Sequence, residues 1–242
     1  MNDKERIGRL EKKLEQRKLT VPEALQEEVS VEWLKTNHPA FLSMLTPEAT
    51  AEIIDLLITP GPPNDKARSF KTPMVAADLL SAMVPKVYEL FFMEDPTFKP
   101  APLLTRLLSY FDTPPNYVIS GYVVRIIMNL IPANPSRVIE HLYKSNPQRM
   151  LPYLESQSIA ELLLRIIIVE DALLNCQIKE RVALLGSIVT LYVDNNSSED
   201  VLANASWLLG EAVQRLWSQK HKELGRFSGT LFRLVEAVID HV

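Results

Sequence analysis

Apolar residues along this chain recur every three to four positions and seldom alternate, a rhythm that predicts helices almost throughout. The stretch SIAELLLRIIIVED, residues 158–171, is nearly all aliphatic, with Glu161 and Arg165 set four apart inside it. Acid first and base second is the favourable order for a side-chain pair on one helix face. The segment therefore reads as a helix with one wet or partner-facing stripe. The longest uncharged apolar runs, NYVISGYVV before Arg125 and VALLGSIVTLYV after Arg181, fall well short of the roughly 20 residues that cross a bilayer. No membrane span is expected.

Punctuation agrees with the helical rhythm. Seven glycines are too few and too scattered for a hairpin-rich β fold, so the predicted class is all-α. Thr46-Pro47, Thr72-Pro73, Asn134-Pro135 and Asn146-Pro147 each set a capping side chain before a proline, which a first helical turn tolerates. Thr20 with Glu23 predicts a capping box opening VPEALQEE. Residues 58–69, ITPGPPNDKARS, carry turn formers and charges without an apolar period, and an exposed loop is expected there. Residues 1–18 predict a charged amphipathic helix with Ile7, Leu10 and Leu14 on one side, too short for a coiled coil and suited to capping the first layer of a helical stack.

Apolar helices open near Thr72, Asn116, Ser158 and Glu199, in steps of 44, 42 and 41 residues. That period suits a helical-repeat solenoid of the HEAT or armadillo type over residues 19–242. VAADLL, ISGYVVRII, IAELLLRIII and LANASWLL share a texture of small residues followed by large aliphatics, as expected of helices sandwiched between successive layers. An ordinary helical bundle with chance spacing is the alternative.

Composition narrows the partners. At 242 residues and 47% hydrophobic the chain can bury a core, and it lacks the signature of disorder. Twenty-six basic against 30 acidic residues leave a net charge of −4, so no large cationic field is offered to a phosphate backbone and nucleic acid is not expected as a partner. One cysteine, Cys176, closes no internal disulfide, and the charged N-terminus has no apolar leader core. The expected location is cytoplasmic or nuclear.

Catalytic chemistry lacks its usual residues. His38, His141, His221 and His241 are dispersed, without metal-ligand spacing, so neither a metal nor another cofactor is expected. GxGxxG, GxxxxGK[ST] and GxSxG patterns are missing, and Cys176 has no histidine near it in sequence. The chain is read as non-enzymatic; an all-α enzyme with a site between helices is the competing class. Polar residues do recur on otherwise apolar helices: Arg125 and Asn129; Glu161 and Arg165; and Asn204, Trp207, Glu211 and Arg215, on one face at i, i+3, i+7 and i+11. Arginine and tryptophan are common interface anchors, which makes these eight the candidate partner-binding residues. Each also has a plain structural use: Asn204 to tie a neighbouring backbone, Trp207 to pack, and the charges as surface ion pairs.

LTVPEALQEEVSVEWLKTNHPAFLSML (19–45), FKTPMVAADLLSAMVPKVYELFF (70–92), MLPYLESQSIAELLLRIIIVED (150–171) and NASWLL (204–209) resemble, in order, conserved blocks of the SAPS-domain proteins. Those are regulatory subunits of the Sit-four/type six serine/threonine protein phosphatases, of the type 2A-like class. The resemblance covers roughly residues 7–217. It implies a helical-repeat scaffold that binds the phosphatase catalytic subunit and directs it to substrates or further adaptor proteins, with the metal chemistry in the partner. Asn204 and Ala205 match the family's Asn-Ala pair, and Glu161 to Arg165 its LLLR helix. Family members usually run longer, and the pattern has a tryptophan where Leu173 stands here and a smaller residue than Trp207 after the Asn-Ala pair, departures that bear on the docking surface more than on the fold. A generic HEAT or armadillo adaptor in trafficking or complex assembly shares the expected architecture.

Overall fold

A computed structural model describes residues 3–59, 61–62, 64–93, 102–168 and 178–220. Leu173, Cys176, His221 and His241, and the end of the 158–171 stretch, lie outside them. Helical conformation takes up 79% of the described residues, with no strand among them, so the class is all-α. Two compact units form: Met1–Thr113 with Arg125–Ala133, and Pro114–Val124 with Asn134–Val242.

In the first unit, α1 (Asp3–Glu15) turns Leu10 and Leu14 inward and packs on α4 (Pro39–Met44), while its Lys13 forms an ion pair with Glu23. Glu23 closes the expected capping box, accepting from the Thr20 main-chain N–H at 3.2 Å. The helix it opens, α2 (Val21–Ala24), is one turn long, whereas the capping box alone suggested a longer one. Ser30 explains the stop: its buried hydroxyl donates to the Ala24 carbonyl at 2.7 Å, replacing the helical partner that oxygen would otherwise need. The next helix is α3 (Val29–Lys35).

α5 (Pro47–Ile58) begins as its cap predicts, with Thr46 Oγ1 accepting from the Ala49 N–H at 3.2 Å and proline in the first turn. Its buried Thr50, Ile53, Ile54 and Leu57 fall at i, i+3, i+4 and i+7 and pack against α6 (Thr72–Leu80) and α8 (Pro102–Leu108). α6 is buried on most sides because α3 covers it as well; Val75, Ala76 and Ala77 are wholly enclosed. α7 (Pro85–Phe92) completes the set with Val87, Leu90 and Phe91 inward. Burial of each such large side chain stabilises by about 1.5–3 kcal/mol.

The stretch expected as loop over 58–69 is only partly one. Residues 67–71 form a π-turn, Ala67–Lys71, that runs directly into α6. Thr72 is consequently a buried first-turn residue and not a cap. Polar bonds hold the loop: Arg68 Nη1 donates to the Leu56 carbonyl at 2.8 Å, Gly61 N–H to the Arg68 carbonyl at 3.1 Å, and Ser69 Oγ to the Gly61 carbonyl at 2.9 Å. These partners are main-chain oxygens several turns away in sequence, invisible to an apolar-period reading.

α9 (Tyr117–Ala133) contributes its residues up to Val124 to the second unit and the rest to the first. In the second unit, α10 (Pro135–Lys144) is capped by Asn134, whose Oδ1 accepts from the Arg137 N–H at 3.3 Å. A 3-10 segment, Pro147–Tyr153, leads to α11 (Gln157–Ile167), then α12 (Ile178–Val193) and α13 (Glu199–Lys220). α13 packs on both α11 and α12. In α11 the apolar residues at 159, 160, 162–164, 166 and 167 are all buried, leaving a narrow stripe of Gln157, Glu161 and Arg165. Four expected helix openings fall within one residue of the starts of α6, α9, α11 and α13.

Candidate functional site

Arg125 and Asn129 belong to the first unit. One turn apart on α9, they meet the end of α6: Arg125 Nη2 donates to Asp78 Oδ1 at 2.7 Å, and Asn129 Nδ2 to the Ser81 carbonyl at 2.8 Å. Ser81 caps the C-terminus of α6, where main-chain oxygens have no intrahelical partner. Asn129 supplies one, so it ties two helices of its own unit. The Arg125–Asp78 pair is exposed, with its side chains 43% and 36% accessible, a setting in which ion pairs contribute about 0–1 kcal/mol.

The other six candidates lie in the second unit. Asn204, on the first turns of α13, donates to the carbonyls of Leu154 and Glu155 at 2.9 and 3.0 Å. It secures the bend between the 3-10 segment and α11. Glu155 is a node there. Its carboxylate accepts from the Tyr117 phenol at the start of α9 and from Ser198 Oγ at 3.0 Å, while Ser198 Oγ also accepts from the Val201 N–H at 3.3 Å to cap α13. The Tyr117 hydrogen bond, then that of Ser198, holds the Glu155 carboxyl below its ordinary range, and the same Glu155 contact raises the Tyr117 phenol. Tyr117, Glu155 and Ser198 were not singled out by the sequence. Tyr117 and Ser198 lie 38 and 43 residues from Glu155, and the hint available was one charge, Glu155, in a turn between apolar segments.

Glu161 accepts from Gln157 Nε2 at 3.1 Å, and among the described residues no hydrogen bond or ion pair joins it to Arg165. The expected intrahelical pair is thus replaced by a neighbour one turn earlier. Arg165 is exposed. Along α13, Trp207 is 37% exposed, and Arg215 Nε donates to Glu211 Oε2 at 2.9 Å one turn away. Ala205, Leu208, Leu209 and Ala212 face inward, and Trp207 and Arg215 are among the residues left exposed along the helix. Chemically the exposed candidates offer an indole on α13 and guanidinium groups on α11 and α13: contact area and directed donors, with no nucleophile–base pair among the eight residues.

Among the described residues, no group of three or more His, Cys, Asp and Glu side chains is placed to hold a metal ion, and no helix is long and apolar enough to cross a membrane. No protein-family model matches the sequence, and no curated protein or solved structure matches it.

Proposed function

We propose that this chain is a non-catalytic regulatory scaffold that binds the catalytic subunit of a type 2A-like serine/threonine protein phosphatase and directs it to substrates. The observation that carries the reading is the narrow exposed stripe of α11, where Arg165 stands out from an otherwise buried helix, together with the exposure of Trp207 and Arg215 along α13. The ordered resemblance of four sequence blocks to the SAPS-domain proteins supplies the partner class. A stacked, HEAT-like or armadillo-like arrangement is part of the proposal. Its support is the recurrence of polar ties across similar chain distances: Arg125 to Asp78 spans 47 residues, Asn129 to Ser81 48, Asn204 to Leu154 50 and Arg106 to Asp55 51. These distances lie at or just above the about 40–47 residues of one such layer, as expected when a helix meets an element of the layer before it.

The mechanism is recruitment. A scaffold holding the enzyme on one surface and a substrate or further adaptor on another makes their encounter intramolecular and raises the effective concentration to about the millimolar range for a short tether. The reading places the chain in the cytoplasm or nucleus, where such phosphatases act. Affinity capture of the tagged chain from its native cell tests it. Recovery of a metal-dependent serine/threonine phosphatase catalytic subunit supports the reading, and a clean recovery of other proteins without one overturns it.

A further inference from the structure

Among the described residues, three other than glycine have left-handed backbones: Arg17 at φ 54°, Asn37 at 55° and Asn146 at 60°. Asparagine tolerates that region; arginine is disfavoured there. Arg17 sits at the position after a helix where glycine is usual. The Lys18 N–H bonds back to the Lys13 carbonyl at 2.7 Å and the Arg17 N–H to the Leu14 carbonyl at 2.9 Å, closing α1 with a Schellman turn. An unfavourable residue kept at a tight cap points to a use for its side chain.

That side chain lines a cleft. Leu14, Arg17 and Leu19 from the end of α1 and its turn face Ala40, Ser43 and Met44 of α4 across a volume of about 200 Å³. Leu14, Leu19 and Met44 provide apolar walls with room for about one aliphatic side chain. Among the described residues the Arg17 guanidinium has no hydrogen bond or ion pair, whereas its neighbour Lys13 is taken by Glu23. Lys12 and Lys18 are exposed nearby in sequence, as are Glu11 and Glu15, and Arg17 is the one charged residue among those lining the cleft. Apolar walls under an unengaged arginine, with no carboxylate in the lining, complement a carboxylate next to an aliphatic group.

We infer that the α1–α4 cleft is a docking site for short acidic peptide segments of partner proteins, an aliphatic side chain filling it and an adjacent carboxylate pairing with Arg17. The site lies in the first unit and is independent of the face assigned to the phosphatase.

Fluorescence anisotropy on the full chain tests this with three labelled peptides embedding Glu-Leu-Asp, Gln-Leu-Asn or Glu-Gly-Asp between Gly-Ser flanks. Saturable binding of the first is expected, with Kd of about 0.1–1 mM for so small a contact, and each control weaker by at least about tenfold. Arg17→Gln, which keeps the backbone strain, and Arg17→Gly, which relieves it, should both weaken binding by at least about tenfold, yet Arg17→Gly should melt at the same or a higher temperature. Loss of affinity alongside a gain in stability separates docking from a merely structural role. Equal binding of the three peptides, undiminished binding by Arg17→Gly, or adsorption to phosphatidylserine vesicles without peptide binding would overturn the proposal.

Discussion

Asn129 donates its side-chain amide to the main-chain carbonyl of Ser81 at 2.8 Å, so an oxygen left free at the end of α6 is answered from a helix 48 residues further along. Asn204 does the same in the second unit for Leu154 and Glu155. In both cases an amide on a long helix fixes the end of an earlier element and thereby the angle at which the chain departs from it.

Asn129→Ala should lower the unfolding free energy by about 1–2 kcal/mol, and Asn204→Ala by about 1–3 kcal/mol because two acceptors lose their donor. Arg125→Ala, one turn away but exposed, should cost about 0.5 kcal/mol or less. Urea denaturation followed by circular dichroism measures all three. A larger loss from Arg125→Ala than from Asn129→Ala would contradict the ranking.

The Glu155 node makes a titration prediction. Its folded-state carboxyl lies below 4.5 because Tyr117 and Ser198 donate to it. Any stability from these bonds is therefore present above 4.5 and lost as pH falls through the lowered value. Tyr117→Phe removes the larger cause, so the Glu155 carboxyl, followed by carbon-detected NMR, should titrate closer to 4.5. An unmoved titration would show that the phenol does not hold it.

His141, half-buried on α10 between the charges of Lys144 and Arg137, is depressed below 6.5, first by burial and then by those two cations. Well above that value the ring is uncharged both folded and unfolded and contributes no pH dependence. As pH falls past 6.5 the unfolded chain takes up a proton before the folded one does, so stability declines until the folded group also titrates. His141→Gln should flatten the stability profile as pH falls below 6.5. A profile with the wild-type slope would exclude this histidine as its source.

Gly61 is crossed by the Arg68 side chain, so that an added Cβ would run into Arg68 Cβ and Cγ, atoms close to a backbone pinned by the π-turn. Gly61→Ala should destabilise by about 1–3 kcal/mol, whereas the same change at Gly210, with open space around its would-be Cβ, should be neutral or stabilising by about 0.5–1 kcal/mol within its helix. Thermal melting of the two variants distinguishes them.

Much of the architecture was legible because helix signals are local. Thr46 and Asn134 cap as the Thr-Pro and Asn-Pro pairs predict, and the apolar period put the openings of α6, α9, α11 and α13 within a residue. The misreadings were set by tertiary partners. Ser30 takes the Ala24 carbonyl and ends α2 early; Arg68 and Ser69 build a π-turn where turn formers suggested open loop; Gln157 reaches Glu161 in place of Arg165. The candidate site was legible as a polar stripe, but spacing alone did not sort it. Asn129 and Asn204 hold main-chain oxygens, Arg125 and Glu211 have ion-pair partners, and Arg165 and Trp207 face outward. That division depends on where distant carbonyls and carboxylates come to rest, which no single helix records.

Mixing the purified chain with a purified type 2A-like phosphatase catalytic subunit, and measuring their association by isothermal titration calorimetry, tests the proposed role most directly. A saturable complex is predicted, weakened by at least about tenfold in an Arg165→Ala/Trp207→Ala double variant that melts like the wild type. Absence of heat and of a co-eluting complex at concentrations of about 100 μM, with both proteins folded, would contradict it.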